Sequence, residues 1–134
     1  MSDIKEVQVP NFPVGAAPYS RGIKTNDLIF VSGQLAYCTK TNEFINGDIT
    51  EQTRLVMLNV KRVLEAAGSS MDRVVKVTVF LTDMKEFPAM NAEYSKHFGK
   101  PAPTRSAFQV VALPNNAKVE IECIALPKNL SSKI

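Results

Sequence analysis

Tryptophan is absent, histidine occurs once and cysteine twice, and no stretch of the chain is both long and uniformly apolar. Each scarcity removes a class of function. A zinc site draws several ligands from His and Cys, and one His97 with two separated thiols, Cys38 and Cys123, does not supply them. Two cysteines without metal-ligand spacing also fit a reducing compartment better than a disulfide framework. No run approaches the about 18–20 uncharged apolar residues that a spanning helix needs. The opening MSDIKEVQVP carries acids and no apolar stretch, so neither a secretory signal nor a mitochondrial presequence is expected. There is no phosphate-cradling glycine loop and no G-x-S-x-G elbow. The net charge of +3 is spread along the chain, without a basic stripe, an aromatic stacking platform or a histidine pair for phosphodiester cleavage. Nucleic acid is therefore not an expected partner. Chemistry without metal or cofactor is what remains.

The 134 residues, 45% apolar and 22% charged, are enough for a single continuous core, read here as one domain over 1–134 with flexible tails at 1–10 and 127–134. Pro13 and Pro18, between Asn11 and Ser20, predict an extended arm. Leu28 to Ser32 is a β-rich run, interrupted by Gly33 and resumed over Gln34 to Tyr37; a glycine there marks a bulge or a close backbone approach. Asp48, with Glu51 three residues on, opens a helix whose apolar stripe is Val56, Val60, Val63, Leu64 and Ala67. Gly68 sits where a left-handed cap is expected. Arg73 to Leu81 is a strand with Val75, Val77, Val79 and Leu81 on one face. A second helix begins near Phe87 and carries Met90, Tyr94 and Phe98 on one side, with Gly99 closing it. Strands over Thr104 to Val111 and Lys118 to Ala125 complete an α+β sandwich: a mixed sheet with two helices on one face. Sheets this small commonly bury their other face in an oligomer.

Two charged residues stand out by position. Arg105 opens a strand directly after Pro101-Ala102-Pro103 and is the only charge between Lys100 and Lys118. A guanidinium on rigid backbone among apolar neighbours suits bidentate capture of a carboxylate; an exposed strand-end arginine is the alternative. Glu120 alternates with Val119, Ile121 and Cys123, so it points with Glu122 to the opposite face, where it is either solvated or part of a site. Cys38 and Cys123 fall on strands, and Cys123 is in phase with the core. His97, flanked by Lys96 and Phe98 near the end of the second helix, is explained by the helix dipole or by solvent.

Several blocks in order, APYSRGIK (Ala17 to Lys24), LIFVSGQL (Leu28 to Leu35), Glu51 to Met84, PAPTRS (Pro101 to Ser106) and LPNNAKVEIECIA (Leu113 to Ala125), resemble the signatures of the reactive intermediate deaminase (Rid, or YjgF) family. The resemblance runs from about Ala16 to Leu126 and implies a chorismate-mutase-like fold and a homotrimer with ligand clefts between subunits. It further implies a cofactor-free hydrolysis of 2-imino acids such as 2-iminobutanoate and 2-iminopropanoate to 2-keto acids and ammonia. Carried over residue by residue, Arg105 would clamp the substrate carboxylate and Glu120 would orient or activate water. Tyr19, Ser32, Gly33, Asn91 and the backbone of Ala107 would line the cleft.

Two departures matter. Ala107 stands where the family often has cysteine, which puts any thiol-dependent activity in doubt. Arg21 replaces a usual glutamine at the rim. Rival readings are a non-catalytic regulatory trimer that binds small carboxylates and a translation-inhibiting ribonuclease. The expected compartment is the cytoplasm, with the peroxisome as alternative because Ser132-Lys133-Ile134 nearly matches an import tripeptide.

Overall fold

The computed structural model describes residues 3–12 and 17–128. Eight regular elements follow in order: β1 (Lys5–Glu6), β2 (Gly22–Lys24), β3 (Ile29–Gln34), α1 (Ile49–Ala66), β4 (Val74–Leu81), α2 (Phe87–Tyr94), β5 (Thr104–Gln109) and β6 (Val119–Ala125). The six strands make one sheet in the order β1-β2-β3-β6-β4-β5. Only β4 and β5 run parallel; α2 is the crossover that a parallel pair requires. The mixed sheet with two helices on one face is the expected α+β architecture.

Helix α1 forms for the reasons its sequence offers. The Asp48 side chain accepts the Glu51 amide at 2.8 Å, and Gly68 beyond the last turn has φ +79, the left-handed region that Cβ-bearing residues avoid. Its stripe of Val56, Val60, Val63 and Leu64 is fully buried against the sheet, each side chain contributing about 1.5–3 kcal/mol by leaving water. From the sheet, Ile29, Val31, Val77, Val79, Leu81, Val119, Ile121 and Cys123 meet that stripe. Two buried polar side chains of α1 tie loops down. Gln52 donates to the Gly47 carbonyl and accepts the Lys118 amide, while Asn59 donates to the carbonyls of Leu35 and Tyr37.

The structure departs from the sequence expectations in five places. Lys5–Glu6, expected within a loose tail, instead pairs with Lys24 and Ile23, and Val7 is buried in the core. Val75 does not share the face of Val77: the register slips between Val74 and Lys76, so the extra residue turns outward and Val74 takes the core position. Cys38 lies beyond β3 in a loop rather than on a strand. The second helix ends at Tyr94 and continues as a 3-10 turn over Ser95–His97. His97 is explained by neither dipole nor solvent alone, because its Nε2 lies 2.8 Å from Glu93 Oε2 on the same helical face.

Candidate functional site

A bulge in β3 organises the first part of the site. Val31 pairs with Cys123 and Gln34 with Ile121, so Ser32 and Gly33 together stand opposite the single residue Glu122. Bulges commonly re-aim chain beside active sites. Here the bulge brings the backbone of Gly33 against the end of the Glu120 side chain, so closely that a Cβ at position 33 would lie 2.6 Å from the carboxyl carbon. Ser32 holds the entering arm, its hydroxyl donating to the Ser20 carbonyl at 2.6 Å and its amide to the Arg21 carbonyl at 2.9 Å. Around this point opens a cavity of about 450 Å³ lined by Phe12, Tyr19, Arg21, Ser32, Gly33 and Glu120, with Gln34, Leu35, Tyr37, Ala17 and Pro114 completing it. Such a volume is within the range of small-molecule sites, about 300–1,000 Å³. Burial, reinforced by the neighbouring Glu122 carboxylate, pushes the Glu120 carboxyl above its ordinary value. A carboxyl so placed is suited to take up and return a proton.

Arg105 belongs to a second cluster. It pairs in register with Val77, which faces the helices, so Arg105 and Ala107 point to the helix side of the edge strand β5. Its Nη1 donates to Asn91 Oδ1 at 2.7 Å, and its guanidinium lies 4.8 Å from the Tyr94 ring centre and 5.3 Å from that of Phe87. Burial pushes the Tyr94 hydroxyl up to about 12, against the pull of the Arg105 charge. Both rings come from the stripe that defined α2 in the sequence. The guanidinium is thereby fixed in orientation, the condition for bidentate recognition of a carboxylate.

Glu120 pairs with Phe80 on the opposite, open face of the sheet. A single chain therefore brings Tyr19, Ser32, Gly33 and Glu120 together, brings Arg105, Asn91 and Ala107 together, and keeps the two groups apart. On the open face Phe30 and Phe108 are exposed, and Val111, which follows β5, is fully so. Sequence reading missed Phe12, Gln34, Leu35, Tyr37 and Pro114 as cavity residues. Gln34 carried a signal in the SGQ block, whereas Phe12 and Tyr37 reach the cavity through loops that no periodicity describes.

Comparison with known proteins places the chain in a family. The family model described as Endoribonuclease L-PSP matches residues 10–127. A RutC family protein of Pyrococcus horikoshii is 46% identical over 115 residues, covering 86% of this chain and 91% of that protein. Reactive Intermediate Deaminase A, chloroplastic, of Arabidopsis thaliana is 43% identical over 119 residues, 89% of this chain and 64% of that longer protein. Among solved structures, E. coli TdcF with bound serine superposes with a TM-score of 0.82 at 37% identity, covering 92% of this chain and 99% of that one. The match over nearly the whole chain settles the relationship: this protein belongs to the Endoribonuclease L-PSP family, which includes proteins carrying the names Rid, YjgF and RutC.

Proposed function

We propose that the protein hydrolyses reactive 2-imino acids, 2-iminobutanoate and 2-iminopropanoate among them, to 2-keto acids and ammonia. The observation that carries this reading is the Glu120 carboxyl, half-buried against Gly33 in a cavity of small-molecule size. A water held by that carboxyl adds to C2 of the imine, its proton passing to the carboxyl as the C–O bond forms. Return of that proton to nitrogen gives a carbinolamine. Its hydroxyl proton then passes to the amino group, again through the carboxylate, as the C–N bond breaks, releasing ammonia and leaving the keto acid. Imines already hydrolyse in water, so positioning plus one general acid–base group, about 10²–10⁴-fold, is sufficient. The relative named Reactive Intermediate Deaminase A supports the reaction class, and the serine in TdcF supports a ligand of amino-acid size and charge.

Arg105 would supply the carboxylate clamp from a second copy of the chain. This follows from its place on the edge strand, on the face opposite Glu120, beside exposed apolar side chains that a neighbour would cover. The arrangement is a homotrimer with clefts between copies. A ribonuclease reading has less behind it: the sole histidine is engaged with Glu93, outside both clusters.

We propose the cytoplasm as the compartment. Among the described residues no helix is long and apolar enough to cross a membrane, relatives include chloroplastic and mitochondrial proteins, and the Ser132–Ile134 tripeptide lies outside the described residues.

The test is a coupled imine assay. An amino-acid oxidase or threonine dehydratase generates the imine, semicarbazone trapping reports its disappearance, and wild type is run beside Arg105→Ala. Faster clearance by wild type, lost in the variant, is the expected result. No acceleration with several imino acids, from protein shown to be folded and oligomeric, would overturn the enzyme in favour of a carboxylate-binding regulator.

A further inference from the structure

The Arg105 guanidinium makes one hydrogen bond among the described residues, from Nη1 to Asn91 Oδ1 at 2.7 Å. A carboxylate gripped by its fork takes two parallel N–H bonds, and the donors left over then need an acceptor from the protein. Tyr94 carries one. It follows Asn91 by one helical turn on α2, is 7% exposed, and its ring centre lies 4.8 Å from the Arg105 Cζ.

The Tyr94 hydroxyl oxygen is buried and has no hydrogen-bond partner among the described residues. A buried hydroxyl in that state is destabilising, and folded chains carry few of them. Phe98, which meets the Tyr94 ring at 5.1 Å between centres, offers no acceptor or donor. Two other groups act on the hydroxyl electrostatically, Arg105 and Cys123, and a thiol is the weaker hydrogen-bonding group. Burial holds the hydroxyl up, while the Arg105 guanidinium comes near enough to draw it the other way, yet without the geometry of a formed bond. Hydrogen bonds in a site are often long or misaligned before the ligand arrives, and tighten in the complex. An arginine cannot accept, so in this pair the guanidinium donates and the Tyr94 oxygen accepts.

Resting on the Arg105 clamp proposed above, we infer that Tyr94 is a positioning residue for that clamp. Its hydroxyl oxygen accepts an N–H of Arg105 once a carboxylate is bound, so that Asn91 and Tyr94 together hold the guanidinium from the α2 side. Shut off from solvent, the oxygen does not touch the substrate and acts through Arg105 alone.

The experiment compares wild type, Tyr94→Phe, Arg105→Lys and the double variant, each as the assembled protein. Tyr94→Phe keeps the ring and removes the unpaired hydroxyl, so it should melt at or above the wild-type temperature at matched concentration. Its KM in the coupled imine assay should nevertheless rise about 3- to 10-fold, with a smaller change in kcat. In the Arg105→Lys background, where no fork remains to be oriented, the same substitution should change kcat/KM less than about twofold. An equal loss in both backgrounds would overturn the inference, as would a Tyr94→Phe protein that melts well below wild type, because the hydroxyl would then have a partner already. Calorimetry with 2-oxobutanoate gives a readout that does not need turnover. Affinity lowered about 3- to 10-fold by Tyr94→Phe supports the assignment even if no imine is hydrolysed. Affinity unchanged in Tyr94→Phe but lost in Arg105→Ala refutes Tyr94 and leaves the clamp standing. Affinity unchanged in Arg105→Ala refutes the clamp and Tyr94 with it.

Discussion

The carboxyl group of Glu120 occupies the space in which a side chain at Gly33 would begin, with Cδ and Oε2 both 2.6 Å from an ideal Cβ at that position. The atoms in conflict are the far end of a flexible side chain, so Gly33→Ala is expected to fold with a melting temperature near that of wild type. The displaced carboxyl no longer reaches its substrate, and kcat/KM for imine hydrolysis should approach the loss seen in Glu120→Gln, about 10²-fold or more. Thermal melts beside the coupled assay check both halves. Gly68→Ala is the contrasting control. Its φ of +79 strains any other residue by about 1 kcal/mol, so stability should drop while kcat/KM holds.

Arg105 is held by Asn91 and by two rings, and each support is separately testable. Asn91→Ala frees the guanidinium from its 2.7 Å acceptor and should raise KM for imino acids about 3- to 10-fold with a smaller change in kcat. Arg105→Lys keeps the charge and loses the fork, and kcat/KM should fall about 10- to 100-fold. Equal activity of Arg105→Lys and wild type would show that bidentate recognition is not used.

The raised Glu120 carboxyl has consequences for stability as well as rate. Folded Glu120 keeps its proton at pH values where the unfolded chain, titrating near 4.5, has already lost it. Stability therefore falls as pH rises from that value through the folded one, and stays lower above it. Glu120→Gln should melt above wild type at pH 7 and level with it near pH 4, at matched protein concentration. In the assay, Glu122→Gln removes a repelling charge and should move the acid limb of kcat/KM to lower pH. A limb that stays in place would exclude Glu120 as the titrating group.

The two thiols differ in kind. Burial, with Glu122 adding to it, pushes Cys123 up to about 12, while hydrogen bonds from Thr41 hold the Cys38 thiol below its ordinary value. A thiol reagent applied to the native protein should label Cys38 alone, and both cysteines only after denaturation, as mass spectrometry of the digested product would show.

What the sequence made legible was local. The stripe of α1, its Asp48 and Gly68 ends and the alternation of Val119 to Cys123 each follow from a period and a cap, and each was found in place. Gly33 also announced itself, as a glycine inside a β-rich run. The errors were of register and of long-range pairing. A one-residue bulge moved Val75 off the face that alternation assigned to it, and Lys5–Glu6 found a strand partner that no pattern in two residues encodes. For the site, the sequence distinguished Arg105 and Glu120 but not their separation across the sheet. That separation depends on which strand pairs with which, information held in the topology rather than in either segment.

Arg105 and Glu120 on opposite faces also set how inactivating lesions combine. If each cleft takes Arg105 from one copy and Glu120 from the next, a chain lacking Arg105 still carries an intact Glu120 face, and the reverse. Two dead variants refolded together in equal amounts would regenerate about a quarter of the wild-type sites, because a closed ring joins the good edge of one to the good face of the other. In genetic terms the two alleles would complement within one gene, whereas Gly33→Ala and Glu120→Gln, which damage the same face, would not.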